Sequence, residues 1–438
     1  MKIYKNFVKI FCFLLILFVL PFPKAKAASD FSVSCRSAIL VDVNTGQVIY
    51  QQSADTKQYP ASITKVMTAL LVREHTDLND IVTVTSTALA GLDSAGSSVS
   101  LVVGEKMSVN ELLHCMLISS GNDAANVLAE YTAGSVVDFV DMMNQKAKEL
   151  GCASTHFMNP HGLHHDNHYT TARDIYIMTR AFIADPVLMQ ISNTVSYVVP
   201  ATNKSSERIL TTTNYLISGV STSRYIYTYA RGIKTGTTTP AGYCLVSSAE
   251  KNGLYLVSVI LGCGKDETSG DIMSFVETKR MFEYGFSNFS YKTLVDKNRP
   301  VVEVGVEMSQ EAENVVAVTQ ESVSALLDND FDSSKVVLTP WLYSESLTAP
   351  VIKGQILGEV DVSYNGVSYG RVKLTALTGV ERSNFLYSVD RLNEMVHQPK
   401  FMVIGICVAA AVLIYIIACI LIIRRKRLRK LNKGRYIF

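Results

Sequence analysis

Ser62 and Lys65 stand three residues apart in Tyr59-Pro60-Ala61-Ser62-Ile63-Thr64-Lys65, where an apolar run of helical spacing begins. On a helix, positions i and i+3 share a face, so the Lys65 amine can reach the Ser62 hydroxyl. A serine hydroxyl is a weak nucleophile until a base takes its proton. A lysine can do so only if desolvation or nearby cations bring its pKa well below about 10.4. Placing Ser62 at a helix N-terminus also sets developing negative charge beside the positive end of the dipole. Two further polar stretches accompany this pair. Ser119-Ser120-Gly121-Asn122-Asp123-Ala124 interrupts two helical runs, where Ser120 and Asn122 can face a cleft, although turn or cap is their plainer reading. Gly232-Ile233-Lys234-Thr235-Gly236-Thr237-Thr238 precedes a strand-like run. The plainer reading there is a solvated edge, with the glycines as turn formers. Each motif alone is weak. Ser248-Ala249-Glu250-Lys251 repeats the first at a strand end, and Ser363-Tyr364-Asn365 repeats the second.

The elements that must position these groups can be read from periodicity. Residues 37–43 and 48–50, around Gly46, predict a hairpin, and 243–248 with 254–261 predict a second one turning at Lys251-Asn252-Gly253. Apolar spacing predicts helices over 63–73 and 109–131, the latter broken at the Ser120 stretch, and a closing helix over 278–284 ended by Gly285. Beyond about residue 290 the texture changes to period two. Runs at 301–306, 315–319, 335–338, 355–364 and 370–376 predict a small all-β domain over 291–384. Residues 385–400 then form a stalk.

The chain has 438 residues with 41 Lys and Arg against 39 Asp and Glu, and the near balance is misleading. Five basic residues and no acid occupy 1–28, and eight with no acid occupy 424–438. The stretch between holds 28 basic against 39 acidic residues. An acidic body excludes nucleic acid as the main partner. The two ends locate the protein. Lys2, Lys5 and Lys9, an apolar run to Leu20 and then Ala25-Lys26-Ala27 predict a signal peptide over 1–27. Residues 401–423 are free of charge and long enough to cross about 30 Å of hydrocarbon. The basic cluster at 424–438 follows directly, which predicts a cytoplasmic tail and an exported ectodomain. The ectodomain holds Cys35, Cys115, Cys152, Cys244 and Cys263, an odd number whose pairing the sequence leaves open.

Ser-x-x-Lys, Ser-x-Asn and Lys-Thr-Gly, in this order and separated by 58 and 114 residues, form the set found in serine β-lactamases and penicillin-binding proteins. The chain resembles the low-molecular-weight penicillin-binding proteins that act as D-alanyl-D-alanine carboxypeptidases (peptidase family S11). The likeness extends to Asn159-Pro160-His161-Gly162-Leu163, to His168-Tyr169-Thr170-Thr171-Ala172-Arg173-Asp174, and to Lys353-Gly354-Gln355-Ile356-Leu357-Gly358 in the β domain. It implies an α/β (α+β) β-lactamase/transpeptidase-like catalytic domain over 28–290, an antiparallel sheet between helical layers. A small all-β domain and a C-terminal transmembrane helix follow.

The resemblance also implies roles. Ser62 attacks the last peptide bond of a peptidoglycan stem peptide ending in D-Ala-D-Ala, Lys65 is its base, and Ser120 relays a proton. Asn122 holds the substrate amide, Lys234 presents charge to the cleft, and Thr235 binds the terminal carboxylate. Gly236 admits the substrate, and the Thr237 N–H joins that of Ser62 in an oxyanion hole. β-Lactams are the expected covalent inhibitors, and neither cofactor nor metal is implied. Two positions depart from the family pattern: Arg231 where an acid is common, and Ser274 where an arginine often helps bind the carboxylate. Three alternatives compete. A β-lactamase needs a Glu-x-x-Leu-Asn loop that is missing between Asp123 and Lys234. A non-catalytic penicillin sensor would need a signalling domain that the short tail lacks. A metallopeptidase could be argued from His156, His161, His164, His165 and His168, yet their spacing matches no zinc motif.

Overall fold

Strand β1 (Ser37–Asp42) sends successive side chains to opposite faces, so Ile39 and Val41 join one hydrophobic cluster while Ala38 and Leu40 join another. That alternation sets up a sheet with a core on each side. The computed structural model describes residues 31–92 and 96–433; the expected signal segment and residues 434–438 lie outside these. Two compact units result, one reaching Tyr291 and including Leu326–Phe331, the other comprising Lys292–Ala325 and the chain from Asp332 onward.

In the first unit, β1 turns into β2 (Val48–Gln52), and helices of the larger core follow, among them α1 (Lys65–His75), α2 (Val109–Leu117), α3 (Asn122–Ala133) and α4 (Ala172–Ile183). The chain then returns as β3 (Ala230–Thr238), β4 (Gly242–Lys251) and β5 (Leu254–Cys263) before α5 (Met273–Asn288). The five strands lie in the order β2-β1-β5-β4-β3, antiparallel throughout, which leaves β3 on an edge. Met67, Leu112, Leu128 and Phe182 from the four helices cover one face against Val257 and Val259. Phe275, Met281 and Phe282 of α5 cover the other against Leu40 and Leu256.

The closing helix corrects one expectation. Gly285 lies inside α5, which runs on to Asn288, and does not end it. A Cβ at Gly285 would stand 2.5 Å from Leu256 Cδ1, so the glycine serves close approach of helix to sheet. From sequence, a stop signal and a packing notch look alike.

The cysteines resolve into one pair. Cys35 and Cys263 form a disulfide across a separation of 228 residues, beside β1 and at the end of β5. Cys115, Cys152 and Cys244 are free and buried. Burial pushes the Cys115 and Cys152 thiols up to about 12 and Cys244 to about 11, which keeps them protonated. A loop this long gives a loop-closure contribution of about 5 kcal/mol to stability. Replacing both Cys35 and Cys263 with Ser is expected to lower the melting temperature by roughly 10 °C or more, as read by calorimetry.

The second unit carries the expected all-β domain. Its strands are β6 (Pro300–Glu307), β7 (Asn314–Thr319), β8 (Val336–Leu342), β9 (Ser346–Thr348), β10 (Ile356–Tyr364) and β11 (Val367–Ala376), in sheet order β8-β10-β11-β7-β6-β9. Period-two residues Val360, Val362, Val372 and Leu374 fill its core. The stalk is helical, α6 (Asn384–His397), and α7 (Pro399–Lys433) contains a stretch long and apolar enough to cross a membrane.

Candidate active site

Ser62 sits not in an α-helix but in a 3-10 turn, Ala61–Thr64, that leads into α1. Ala61 holds a left-handed φ of 48°, a conformation that costs a non-glycine residue free energy and persists only where neighbours enforce it. The neighbours are identifiable. Thr64 Oγ1 donates to the Ala61 carbonyl at 2.8 Å and accepts from His168 Nε2 at 2.9 Å. The Met158 N–H occupies His168 Nδ1, which leaves the proton on Nε2. Burial drives the His168 pKa down to about 3, so the ring is a neutral clamp. Gly162, at φ +88°, presses on the same turn: a Cβ there would stand 1.9 Å from the Ala61 carbonyl oxygen.

Lys65 is completely buried, and its Nζ has three partners: Ser62 Oγ at 2.9 Å, Asn122 Oδ1 at 2.7 Å and the His161 carbonyl at 2.8 Å. The two carbonyl-type oxygens can only accept, whereas the Ser62 hydroxyl can donate. A neutral amine has two N–H groups and one lone pair, and this set matches it group for group. Burial, and then the charge of Lys234, push the Lys65 pKa well below its ordinary value, against a smaller upward pull from Asp123. A neutral amine with these partners would have its lone pair free for the Ser62 proton. Histidine density near the site has a structural cause: His161 and His168 are buried and neutral, with His161 pushed to about 3, first by burial and then by Lys65.

The second motif lies between α2 and α3. Ser120 adopts a φ of 61°, and the Gly121 N–H returns to the Cys115 carbonyl, which reverses the chain and turns Ser120 to the cleft. Asn122 opens α3, and its Oδ1 is committed to Lys65. Asp123 ties down the facing loop by accepting from the Ser98 hydroxyl at 2.6 Å and the Val99 and Leu101 N–H groups.

The third motif lies along edge strand β3. Gly236 abuts the Ser62 turn so closely that a Cβ would be 2.9 Å from both the Pro60 carbonyl oxygen and the Ser62 nitrogen. Ser62, Ser120, Thr235, Gly236 and Thr237 line one cleft of about 210 Å³. The structure thus brings the three motifs together, although 172 residues separate Ser62 from Lys234. A family model described as D-alanyl-D-alanine carboxypeptidase matches residues 24–265, more than half of the chain. The chain belongs to the D-alanyl-D-alanine carboxypeptidase family.

A second model, the C-terminal domain of penicillin-binding protein 5, matches residues 289–382. Among curated relatives, the carboxypeptidase DacC of Escherichia coli is 33% identical over 364 residues, covering 81% of this chain and 86% of its own length. DacF of Bacillus subtilis is 30% identical over 372 residues, covering 84% and 91%. Penicillin-binding protein 5 of Haemophilus influenzae superposes with a TM-score of 0.60 at 27% identity, over 81% of this chain and all of that one. The protein is accordingly a serine peptidase of this carboxypeptidase family, working in peptidoglycan metabolism.

In this carboxypeptidase Lys234 does not line the cleft. It is buried, its Nζ donating to the Thr235 carbonyl at 3.0 Å, and burial lowers its pKa to about 7. Its charge reaches the cleft through Lys65, whose pKa it depresses. Ser274 does stand on the cleft wall, with Ile272, Phe275 and Tyr243 around it. Sequence reasoning missed Thr213, whose hydroxyl is 2.5 Å from that of Thr235, and the positioning work of Asp123 and Gly162. The last two lie inside quoted motif stretches and could have been found there. Thr213 lies in a plain Thr-Thr-Thr-Asn run with nothing to distinguish it.

Proposed function

We propose that the protein removes the C-terminal D-alanine from peptidoglycan stem peptides through an acyl-enzyme on Ser62. Lys65 takes the hydroxyl proton as Ser62 attacks the carbonyl between the two D-alanines. The N–H groups of Ser62 and Thr237 hold the oxyanion, an arrangement worth several kcal/mol of transition-state stabilisation. Ser120 passes a proton to the departing amine, and Asn122 and Thr235 hold the substrate amide and the terminal carboxylate. Water, deprotonated by Lys65 in its turn, then frees the shortened peptide. A β-lactam acylates the same hydroxyl and leaves slowly.

The observation that carries this reading is the 2.9 Å contact between Lys65 Nζ and Ser62 Oγ, with two acceptor-only oxygens satisfying the rest of the amine. Helix α7 would cross the membrane with residues 424–438 inside, since Arg and Lys beside a span stay cytoplasmic. The test uses the full-length protein in detergent with diacetyl-Lys-D-Ala-D-Ala and, separately, with penicillin. Mass spectrometry is expected to find one alanine released per peptide and a penicilloyl group on the proteolytic fragment holding Ser62. An adduct on any other residue, or peptide turnover that penicillin leaves untouched, would overturn the reading.

A further inference from the structure

Among the described residues lining the cleft, none carries a charged side chain. Of the cations near it, Lys234 gives its Nζ to the Thr235 carbonyl and Lys265 lies over the Tyr243 ring with its Nζ 5.7 Å from the centroid, and neither is among the lining residues. A terminal carboxylate bound there must therefore be met by neutral donors. At the β3 edge two hydroxyls, Thr213 and Thr235, stand 2.5 Å apart, both on the cleft wall. In that pair only one hydroxyl donates to the other, so the second keeps its proton for an incoming oxygen. A carboxylate has two acceptor oxygens, and placed across the pair it lets both hydroxyls donate at once.

Thr213 is also held rigidly. Its N–H bonds the Ile118 carbonyl at 3.3 Å, just before the Ser120 turn. The next residue, Asn214, donates from Nδ2 to the Gly232 carbonyl at 2.6 Å and accepts the Leu216 N–H at 3.0 Å. The segment is thereby fixed both to β3 and to the end of α2, and a ligand meets the hydroxyl already in place.

We infer that Thr213 is a substrate-binding residue: with Thr235 it forms an uncharged clamp for the peptide's C-terminal carboxylate. This rests on the carboxypeptidase reading and sharpens its substrate class. An uncharged clamp prefers a free acid only by the strength of its hydrogen bonds. Peptides blocked as the C-terminal amide should therefore be cleaved with a penalty of about ten- to a hundredfold in kcat/KM.

The test compares diacetyl-Lys-D-Ala-D-Ala with its C-terminal amide on the full-length enzyme, wild type beside Thr213→Val and Thr213→Ser. Loss of one charge-assisted hydrogen bond is expected to raise KM for the free acid about tenfold in Thr213→Val. The same variant should lose clearly less on the amide, whose single carbonyl oxygen takes only a neutral hydrogen bond, and Thr213→Ser should restore the acid KM to within about threefold. Equal losses on acid and amide would mean that Thr213 only props Thr235, and the inference fails. It fails equally if Thr213→Val changes neither. Penicillin labelling of Ser62 in the wild type is run alongside: its absence would sink the carboxypeptidase reading itself, whereas its presence with an unmoved KM sinks only the clamp.

Discussion

A Lys65→Ala variant is expected to lose about 10²- to 10⁴-fold in the rate of Ser62 acylation, the range over which a positioned general base contributes. Among the described contacts, Lys65 Nζ is the only group that Ser62 Oγ bonds, so no second base stands ready to replace it. Lys65→Arg is not a rescue, because a guanidinium stays protonated and can only donate. The wild-type pH profile carries the same signature. Only the neutral amine accepts the proton, so acylation rises with pH through the Lys65 pKa. Burial and Lys234 place that limb well below the ordinary lysine range. Protonating Lys234 as pH falls through about 7 strengthens the repulsion and holds Lys65 neutral to lower pH than it would otherwise remain. Lys234→Met should therefore move the acid limb upward, while Lys65→Ala should flatten it. Rates of labelling with a fluorescent penicillin between pH 5 and 9 decide the matter. A Lys65→Ala rate within about threefold of wild type would remove the base from the mechanism.

What could be read in advance follows the range of the interactions involved. Ser62 and Lys65 meet because three residues of turn separate them, and a 3-10 turn serves for that as well as an α-helix does. The hairpins of β1–β2 and β4–β5 announce themselves through alternation and local turn residues. The β domain does so through period two alone. Non-local matters were closed to such reading. The Cys35–Cys263 bond depends on where β1 and β5 pair, the burial of Lys234 depends on what packs around β3, and Thr213 matters only because Thr235 is opposite. Gly285 shows the same limit from the other side, since the residue reads as a local stop until the partner sheet is known. Local sequence carried the proposed nucleophile and base, and the tertiary fold supplied the burial and the Lys234 charge that lower the Lys65 pKa.

Gly236→Ala should cost about 10²- to 10³-fold in acylation, comparable to removing one oxyanion donor. The added methyl would lie 2.9 Å from the Pro60 carbonyl oxygen, 2.9 Å from the Ser62 nitrogen and 3.0 Å from the Ile63 nitrogen. All three are backbone atoms of the turn that Ala61, Thr64, His168 and Gly162 already lock, so no flexible side chain can yield. The strand and the turn must part instead, and they carry the Thr237 and Ser62 N–H groups, respectively. An oxyanion held between two donors loses its stabilisation once their spacing grows by a few tenths of an ångström, while Ser62 and Lys65, both on the turn side, keep their contact. The variant should therefore retain its melting temperature to within a few degrees and still fail to label. Gly253→Ala is the matched control, since φ +79° strains any side chain there but nothing lies within 4 Å of the new Cβ. It should lose about 1–2 kcal/mol of stability and label with penicillin at the wild-type rate. If Gly236→Ala labelled as fast as Gly253→Ala, the close approach of strand to turn would be packing alone, and the oxyanion hole would have to be sought elsewhere.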